Sequence, residues 1–203
     1  MILIGYSGHA YVAYGIATAA GKKVTGYCDN EQKQYNPFAL QYFGTENSAA
    51  AYEAFDKNGF FIAIGDNKIR EKVFNTLAQK NIFPVNIIHP SLIIDASATV
   101  AQQGVMIAAG VIINPLAKIG TGAICNTGCI IEHECVIGNF AHIAPGAVLC
   151  GNVKLGNNSF VGANAVIKQG VTIGNNVMIG AGAVVLKDIP DNVTVIGVPA
   201  QIK

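Results

Sequence analysis

The central and C-terminal parts of the sequence carry a hydrophobic repeat with a period of six residues. Every sixth residue from 107 to 185 is large and apolar. The residue two positions before each of these is small or β-branched, from Val105 to Ala183. A period of six fits neither an α-helix nor a simply alternating strand. It is typical of short strands joined by turns, in which each strand points one large and one small side chain inward. The large positions are aliphatic apart from one cysteine: Ile107, Ile113, Ile119, Cys125, Ile131, Ile137, Ile143, Leu149, Leu155, Val161, Ile167, Ile173, Ile179 and Val185.

A longer period, equal to three hexads, lies on top of the first. An aliphatic residue followed by glycine recurs at Ile119-Gly120, Ile137-Gly138, Leu155-Gly156 and Ile173-Gly174. Three hexads per coil predict a triangular prism, whose rungs stack about 4.8 Å apart through paired backbones. Because Val100 and Ile107 are seven residues apart, the register predicts one extra residue, and therefore a bulge or loop, within 101–104.

The first third of the chain has a different pattern, which predicts alternating strands and helices. Short apolar runs at 1–4, 24–28, 60–64 and 85–88 are typical of buried strands, and helical patterns reach Ala20 and cover about 68–79. We expect residues 1–89 to form a small α/β domain around a βαβ sheet. His89-Pro90 marks the junction with a second domain, 90–203, because the residue before proline leaves helical space.

The strands of the first domain end in residues suited to bind a nucleotide. A glycine turn between a strand and a helix offers free N–H groups that suit a phosphate, and Gly5-x-x-Gly8 occupies that place. Asp29 follows the next strand, where an acidic side chain often meets a ribose hydroxyl. A merely structural turn is the alternative, since the full dinucleotide fingerprint is absent. The crevice at these strand ends would gather Ser7, Gly8, His9, Asp29, Asn30 and Gly65.

The composition of the 203-residue chain limits the possible partners and location. Hydrophobic residues make up 51% and charged residues 12%, which excludes a disordered chain. A net charge of +1 gives no basic face for nucleic acid. No basic signal segment opens the sequence, and five cysteines favour a reducing compartment. We therefore expect a cytoplasmic protein that does not insert into a membrane.

Two histidines fall within the repeat. His133 lies between Glu132 and Glu134 in a stretch with few other charges. A carboxylate partner orients an imidazole and raises its basicity, as a general base requires, although a solvated charged turn would have the same sequence. His142 follows one and a half hexads later, which is half of a coil. The two side chains then lie on opposite sides of one prism and meet only between neighbouring chains, which predicts an active site at a subunit interface.

Residues 126–138, with Phe140-Ala141-His142, resemble the core of bacterial nucleotide-sugar N-acetyltransferases of the hexapeptide-repeat family. The resemblance covers nearly the whole chain, including 6–9 and 61–67. Within the family, the sequence resembles in particular the enzyme that acetylates a UDP-4-amino-4,6-dideoxy sugar on the bacillosamine route. Sialic-acid O-acetyltransferases and GDP-perosamine N-acetyltransferases are relatives. It implies a Rossmann-like α/β domain followed by a left-handed parallel β-helix and a short C-terminal tail. Asn30 departs from the bacillosamine enzyme, which has a second Asp there.

The same resemblance implies the chemistry and the assembly. Acetyl would pass from acetyl-CoA to the amino group of a nucleotide-linked amino-dideoxy sugar, with UDP as the expected carrier, in a homotrimer with active sites between subunits. His133 would be the general base, Glu134 would tune it, and Asn126 would lie near the reacting centre. The implied acetyl-CoA groove consists of His142, Gly151, Ala163 and Ala181. The residues implied to hold the nucleotide sugar are Ser7, Gly8, His9, Asp29, Asn30 and Gly65.

Several other functions have to be weighed against this one. A hydroxyl acceptor would make the enzyme a sugar or sialic-acid O-acetyltransferase. Some left-handed β-helices are zinc carbonic anhydrases with three histidines between subunits, but the two coil histidines, half a coil apart, do not supply that set, so we expect no metal. A catalytically silent binding module would hold the sugar nucleotide without acyl transfer. A covalent cysteine route is disfavoured because Cys125, Cys129 and Cys135 fall on inward positions and no histidine or acid is near Cys150 in sequence.

Overall fold

The computed structural model describes residues 1–203. The chain forms an N-terminal module, residues 1–86, and a column, residues 87–203. The module contains a four-stranded parallel sheet with strand order β3-β2-β1-β4. Three helices pack around this sheet, and none of them is long and apolar enough to cross a membrane. The elements are β1 (Ile2–Ile4), α1 (Gly8–Ala19), β2 (Gly26–Cys28), β3 (Gln41–Tyr42), α2 (Ala49–Asn58), β4 (Phe60–Ile62) and α3 (Asn67–Ala78).

The column is a parallel β-helix with three sheet faces. Face 1 contains β5 (Ile87–Ile88), β8 (Met106–Ile107), β11 (Ile124–Cys125), β14 (His142–Ile143), β17 (Phe160–Val161), β20 (Met178–Ile179), β22 (Thr194–Gly197) and β23 (Ala200–Ile202). Face 2 contains β6 (Ile93–Ile94), β9 (Ile112–Ile113), β12 (Ile130–Ile131), β15 (Val148–Leu149), β18 (Val166–Ile167) and β21 (Val184–Val185). Face 3 contains β7 (Thr99–Val100), β10 (Lys118–Ile119), β13 (Val136–Ile137), β16 (Lys154–Leu155) and β19 (Thr172–Ile173).

The register of the column confirms the predicted repeat. From Met106 to Ile167 each strand pairs in parallel with the strand three hexads further along the chain, as in Met106↔Ile124 and Val166↔Val184. Ile87 pairs with Met106, one position more than three hexads away, so the extra residue predicted within 101–104 is present. All the predicted inward positions are buried, and Ser159, the polar one, donates its hydroxyl to the Gly174 carbonyl at 2.6 Å. The last coil is shorter, and β22 then turns back to pair with β23 in antiparallel fashion.

One prediction about the N-terminal module is wrong. The strand expected near 85–88 does not complete the α/β sheet but opens face 1 of the column, where Ile87 pairs with Met106. The column therefore begins just before the expected junction at His89-Pro90. The fourth strand of the α/β sheet is β3, which the sequence pattern does not indicate, and the same holds for α2.

The module packs on face 1 through shared apolar clusters. Met106 and Ile124, which point outward from face 1, are fully buried in one cluster with residues of β1 and α1. Phe140, at the corner between face 3 and face 1, packs edge-on against Phe74 of α3 with ring centroids 5.3 Å apart. This packing brings the carboxyl ends of the α/β strands close to the outer surface of the column.

Candidate active site

His133 lies in the corner between face 2 and face 3, two residues after the end of β12, and about half of its side chain is exposed. Its Nδ1 is 3.1 Å from Oε2 of Glu134. Glu134 has a positive φ of 62° and donates its backbone N–H to the Pro115 carbonyl. Since a carboxylate only accepts hydrogen bonds, Nδ1 of the neutral ring carries the proton, and the lone pair is left on Nε2.

Gly151, one coil later at the same corner, supports the His133 ring. A Cβ at this position would overlap the Cε1 and Nε2 atoms of His133. The backbone of Gly151 does not have a positive φ, so the requirement for glycine here comes from this close approach alone. The imidazole is therefore held between the Glu134 carboxylate and the backbone of the next coil.

His142 occupies a different environment on face 1, buried beneath the N-terminal module. Its Nδ1 is 3.4 Å from the Gly65 carbonyl oxygen, and its Nε2 is 3.3 Å from Nδ2 of Asn126. The Oδ1 of Asn126 accepts the Thr127 N–H, so its amide group donates to His142. Burial, together with the charge of Arg70, lowers the pKa of His142 to about 3. A neutral ring with both nitrogens bonded is unsuited to act as a base at neutral pH.

His9 lies in the first turn of α1 and approaches His142 with ring centroids 5.8 Å apart. Its ring packs against Gly65, and its Nε2 is buried without a hydrogen-bond partner in the chain. Burial, assisted by Arg70, lowers the pKa of His9 to about 4. His9 and His142 are thus both neutral at pH 7 and lie side by side where the two modules meet.

Arg70 is a residue of this region that the sequence pattern does not reveal. Its side chain is buried, and its guanidinium joins the two modules. Nε and Nη2 donate to the carbonyls of Gly122 and Phe140 in the column, at 2.8 and 2.7 Å. Nη1 donates to the carbonyls of Ile64 and Gly65 in the N-terminal module. Burial lowers the pKa of Arg70 to about 9, so the group remains charged at neutral pH.

The residues expected to hold the nucleotide sugar lie around the carboxyl ends of β1, β2 and β4. They do not share one cleft but lie in two separate clefts and at the start of α1. Asp29 accepts the backbone N–H groups of Tyr6 and Asn30, and both Asp29 and Asn30 line a cleft of about 350 Å³. Gly65 lines a second cleft, of about 340 Å³, between the start of α3 and Phe160 and Met178 on face 1. Ser7, Gly8 and His9 form the start of α1 and line neither cleft.

The residues expected to form the acetyl-CoA groove are spread around the column. Gly151 lies under His133 at the corner between faces 2 and 3, while Ala163 and Ala181 lie one coil apart at the corner between faces 1 and 2. His142 lies on face 1, in contact with Asn126 and not with His133. Face 2 therefore separates these groups within one chain.

The cysteines and the remaining acidic groups show no second catalytic constellation. Cys125, Cys129 and Cys135 are buried in the core of the column, and burial raises the pKa of Cys135 to about 11. Cys150 is only partly buried, and all five thiols are free. The chain contains no cluster of three His, Cys, Asp or Glu side chains placed to hold a metal ion.

Comparisons with known proteins agree with this fold. Residues 1–77 match the family model of the PglD N-terminal domain, and residues 152–187 match that of the bacterial transferase hexapeptide (six repeats). PerB of Caulobacter crescentus, solved with CoA and GDP-perosamine, is 36% identical over 100% of this chain and 96% of its own, with a TM-score of 0.90. The acetyltransferase domain of PglB from Neisseria gonorrhoeae, solved with acetyl coenzyme A, is 31% identical over 100% of this chain and 98% of its own, also at 0.90. WeeI of Acinetobacter baumannii, at 24% identity, 100% and 98% coverage and a TM-score of 0.86, shows the same fold.

The coils and the α/β module together define a hexapeptide-repeat transferase. More specifically, the chain belongs to the hexapeptide-repeat family of bacterial nucleotide-sugar N-acetyltransferases, and its column is the left-handed parallel β-helix of that family. The resemblance stated from the sequence is thereby confirmed.

Proposed function

We propose that this protein transfers an acetyl group from acetyl-CoA to the amino group of a nucleotide-linked amino-dideoxy sugar, with His133 as the general base. The proposal is supported by the similarity to PerB, whose structure contains CoA and GDP-perosamine, and to the PglB domain, whose structure contains acetyl coenzyme A. The observation that carries it is the His133–Glu134 pair at 3.1 Å, which leaves Nε2 free at the surface of the column.

In this mechanism His133 accepts a proton from the sugar amine at Nε2. The amine nitrogen forms its bond to the thioester carbonyl carbon, the carbon–sulfur bond breaks, and the proton is passed on to the departing thiolate. Glu134 holds the proton on Nδ1 and stabilises the imidazolium that forms transiently. A positioned base of this kind contributes about 10²–10⁴ in rate.

The other candidate residues take supporting roles in the proposal. Asn126 and His142 form a neutral hydrogen-bonded pair at the edge of the module. In the proposed trimer this pair would lie near the reacting centre that involves His133 of a neighbouring chain. Asp29 and Asn30 contact the nucleotide in their cleft, Ser7, Gly8 and His9 contact the phosphates at the start of α1, and Gly65 connects the two regions. Gly151, Ala163 and Ala181, with His142, contact acetyl-CoA. The fit is supported by the requirement for glycine at 151, since any side chain there would displace the base.

The active site is proposed to lie between the subunits of a homotrimer. The outward row of face 2 consists of partly exposed β-branched side chains, at 112, 130, 148, 166 and 184, which continue to an exposed Ile93. A continuous apolar strip of this kind is typical of a protein interface. Face 2 also separates Gly151 from Ala163 and Ala181, so a groove that uses all of them requires a neighbouring chain.

The proposal can be tested by measuring thiol release from acetyl-CoA with a panel of UDP-, GDP- and dTDP-linked 4-amino-4,6-dideoxy sugars. We expect release with at least one of them, and a product heavier by one acetyl group that is stable in mild alkali, because an amide survives conditions that cleave an ester. An alkali-labile product would instead identify an O-acetyltransferase. Binding of the sugar nucleotide without any thiol release would identify a silent binding module, and activity that depends on stoichiometric zinc would contradict the proposed chemistry.

A further inference from the structure

The cleft lined by Asp29 and Asn30 has features that go beyond holding a ribose and phosphates. It measures about 350 Å³, within the usual range of about 300–1,000 Å³ for small-molecule sites. One wall is apolar and consists of Ile4, Ile64 and Val73, which suits the face of a planar base. It opens at the carboxyl ends of parallel strands, where α/β sheets bind nucleotides.

Asp29 itself is largely committed to the fold. One oxygen accepts the Tyr6 N–H at 2.9 Å and the other accepts the Asn30 N–H at 2.7 Å, and Lys33 lies 3.3 Å from the second oxygen. These bonds fix the turn between β1 and α1 against the end of β2. Recognition of a base in this cleft must therefore come mainly from other side chains.

Glu46 is the carboxylate in the cleft that the fold does not use. It is half-buried, forms no ion pair, and its only hydrogen bond is a long one, 3.4 Å, from the amide of the adjacent Asn47. Glu46 and Cys28, the last residue of β2, line the same cleft, and burial, together with the nearby charge of Glu46, raises the pKa of Cys28 to about 12. Lys72, on the α3 side of the same cleft, also has no ion-pair partner.

These two charges are complementary to one nucleobase. The Watson–Crick edge of guanine carries two adjacent donors, N1–H and the N2 amino group, beside the O6 acceptor. The two oxygens of a carboxylate match the donors, and an ammonium group matches O6. Uracil has one N–H between two carbonyl oxygens, so a carboxylate facing it meets at least one of those acceptors and is repelled.

We propose that Glu46 and Lys72 recognise guanine in this cleft, so that the acceptor is a GDP-linked amino sugar and not the UDP-linked one expected from the sequence. This inference rests on the proposed function, because it assigns the base of the nucleotide that the site binds. A site built to satisfy specific donors rejects a ligand that lacks them, often by large factors.

The test is calorimetric titration of the purified protein with GDP and with UDP. We expect GDP to bind at least tenfold more tightly than UDP. Glu46→Gln should weaken GDP binding at least tenfold, while UDP affinity stays the same or rises because the repulsion between the carboxylate and the uracil oxygens is removed. Lys72→Gln should weaken GDP binding by a smaller factor because its side chain is exposed. Glu53→Gln, an exposed carboxylate on α2 with no hydrogen bond, is the matched control and should bind both nucleotides as the unmodified protein does.

Three results would overturn the inference. Equal or tighter binding of UDP would show that the base is not guanine, and equal weakening of both nucleotides by Glu46→Gln would show that Glu46 does not contact the base. In either case thiol release with UDP-linked amino sugars would leave the proposed function intact. Absence of binding by either nucleotide, together with absence of thiol release, would contradict the inference and the proposed function together.

Discussion

The carbonyl oxygen of Gly65 and Nδ1 of His142 lie 3.4 Å apart and connect the loop after β4 with face 1 of the column. The same carbonyl accepts a hydrogen bond from Arg70, whose guanidinium also binds two carbonyls of the column. The N-terminal module therefore has a fixed position on the β-helix. In the proposed reaction this would hold the nucleotide sugar in one place relative to the acetyl donor.

Replacement of Arg70 by Met should destabilise the protein strongly. The change removes the donors to four backbone carbonyls and leaves buried acceptors without partners, each at a cost of about 1–3 kcal/mol. We expect the free energy of unfolding, measured by urea denaturation, to fall by at least about 3 kcal/mol. Lys57→Met at the exposed end of α2 should change it by less than about 0.5 kcal/mol. A loss below about 1 kcal/mol for Arg70→Met would contradict the proposed function of Arg70 as the main polar link between the modules.

The stability of the protein should decrease as the pH falls from about 6.5 toward 4. Both His9 and His142 have lowered pKa values in the folded protein, about 4 and about 3, because burial and Arg70 disfavour their charged forms. Below the ordinary histidine pKa of about 6.5 the unfolded chain takes up these protons while the folded protein does not. Each histidine then lowers the free energy of unfolding by up to about 1.4 kcal/mol for each pH unit below about 6.5. Above that pH neither histidine changes the free energy of unfolding.

The pH effect can be measured by urea denaturation at pH 7.5 and pH 5.0. His9→Gln should reduce the difference between the two values, since one of the two groups is removed and the charge of Arg70 remains. A free energy of unfolding that is equal at both pH values, or that is higher at pH 5.0, would show that these rings are not kept neutral by the fold.

Gly151→Ala should reduce activity while the fold is retained. The added methyl group overlaps the His133 ring, which is half-exposed and can rotate away, so the base moves and the column does not. Displacement of a reacting group by about 1 Å can cost about 10²-fold in rate, and we expect kcat to fall at least tenfold. Gly15→Ala in α1, where a Cβ would meet no other atom, should leave kcat unchanged and raise the melting temperature slightly. Unchanged kcat in Gly151→Ala would show that His133 does not need this position.

The column could be predicted from the sequence because its structure repeats. Each inward position carries the same type of residue as the equivalent positions in the coils before and after it. A pattern such as Ile119, Ile137, Leu155 therefore identifies the face and the register of the strands, and a break in the pattern identifies the extra residue before Val105. The strand at Ile87–Ile88 is predicted in the wrong sheet because it follows α3 directly and its partner, Met106–Ile107, lies beyond the irregular first coil.

The contacts between the modules could not be predicted in the same way. Arg70 lies on an amphipathic helix, where a charged residue is usually exposed, and nothing in its neighbours indicates that it reaches Gly122 and Phe140. The pairing of Asn126 with His142 depends on adjacent coils of face 1. Outward positions one coil apart pair His142 with Ile124 and not with Asn126, so the repeat by itself does not reveal this contact.

The measurement that tests the central claim most directly is kcat of the His133→Ala variant at saturating acetyl-CoA and sugar nucleotide. We predict a fall of about 10²–10⁴, equivalent to about 3–5 kcal/mol in the barrier, with substrate affinities little changed. Glu132→Gln, the neighbouring carboxylate that forms no hydrogen bond with the ring, is the control and should turn over within about twofold of the unmodified enzyme. Turnover of His133→Ala close to that of the unmodified enzyme would contradict a general base at this position.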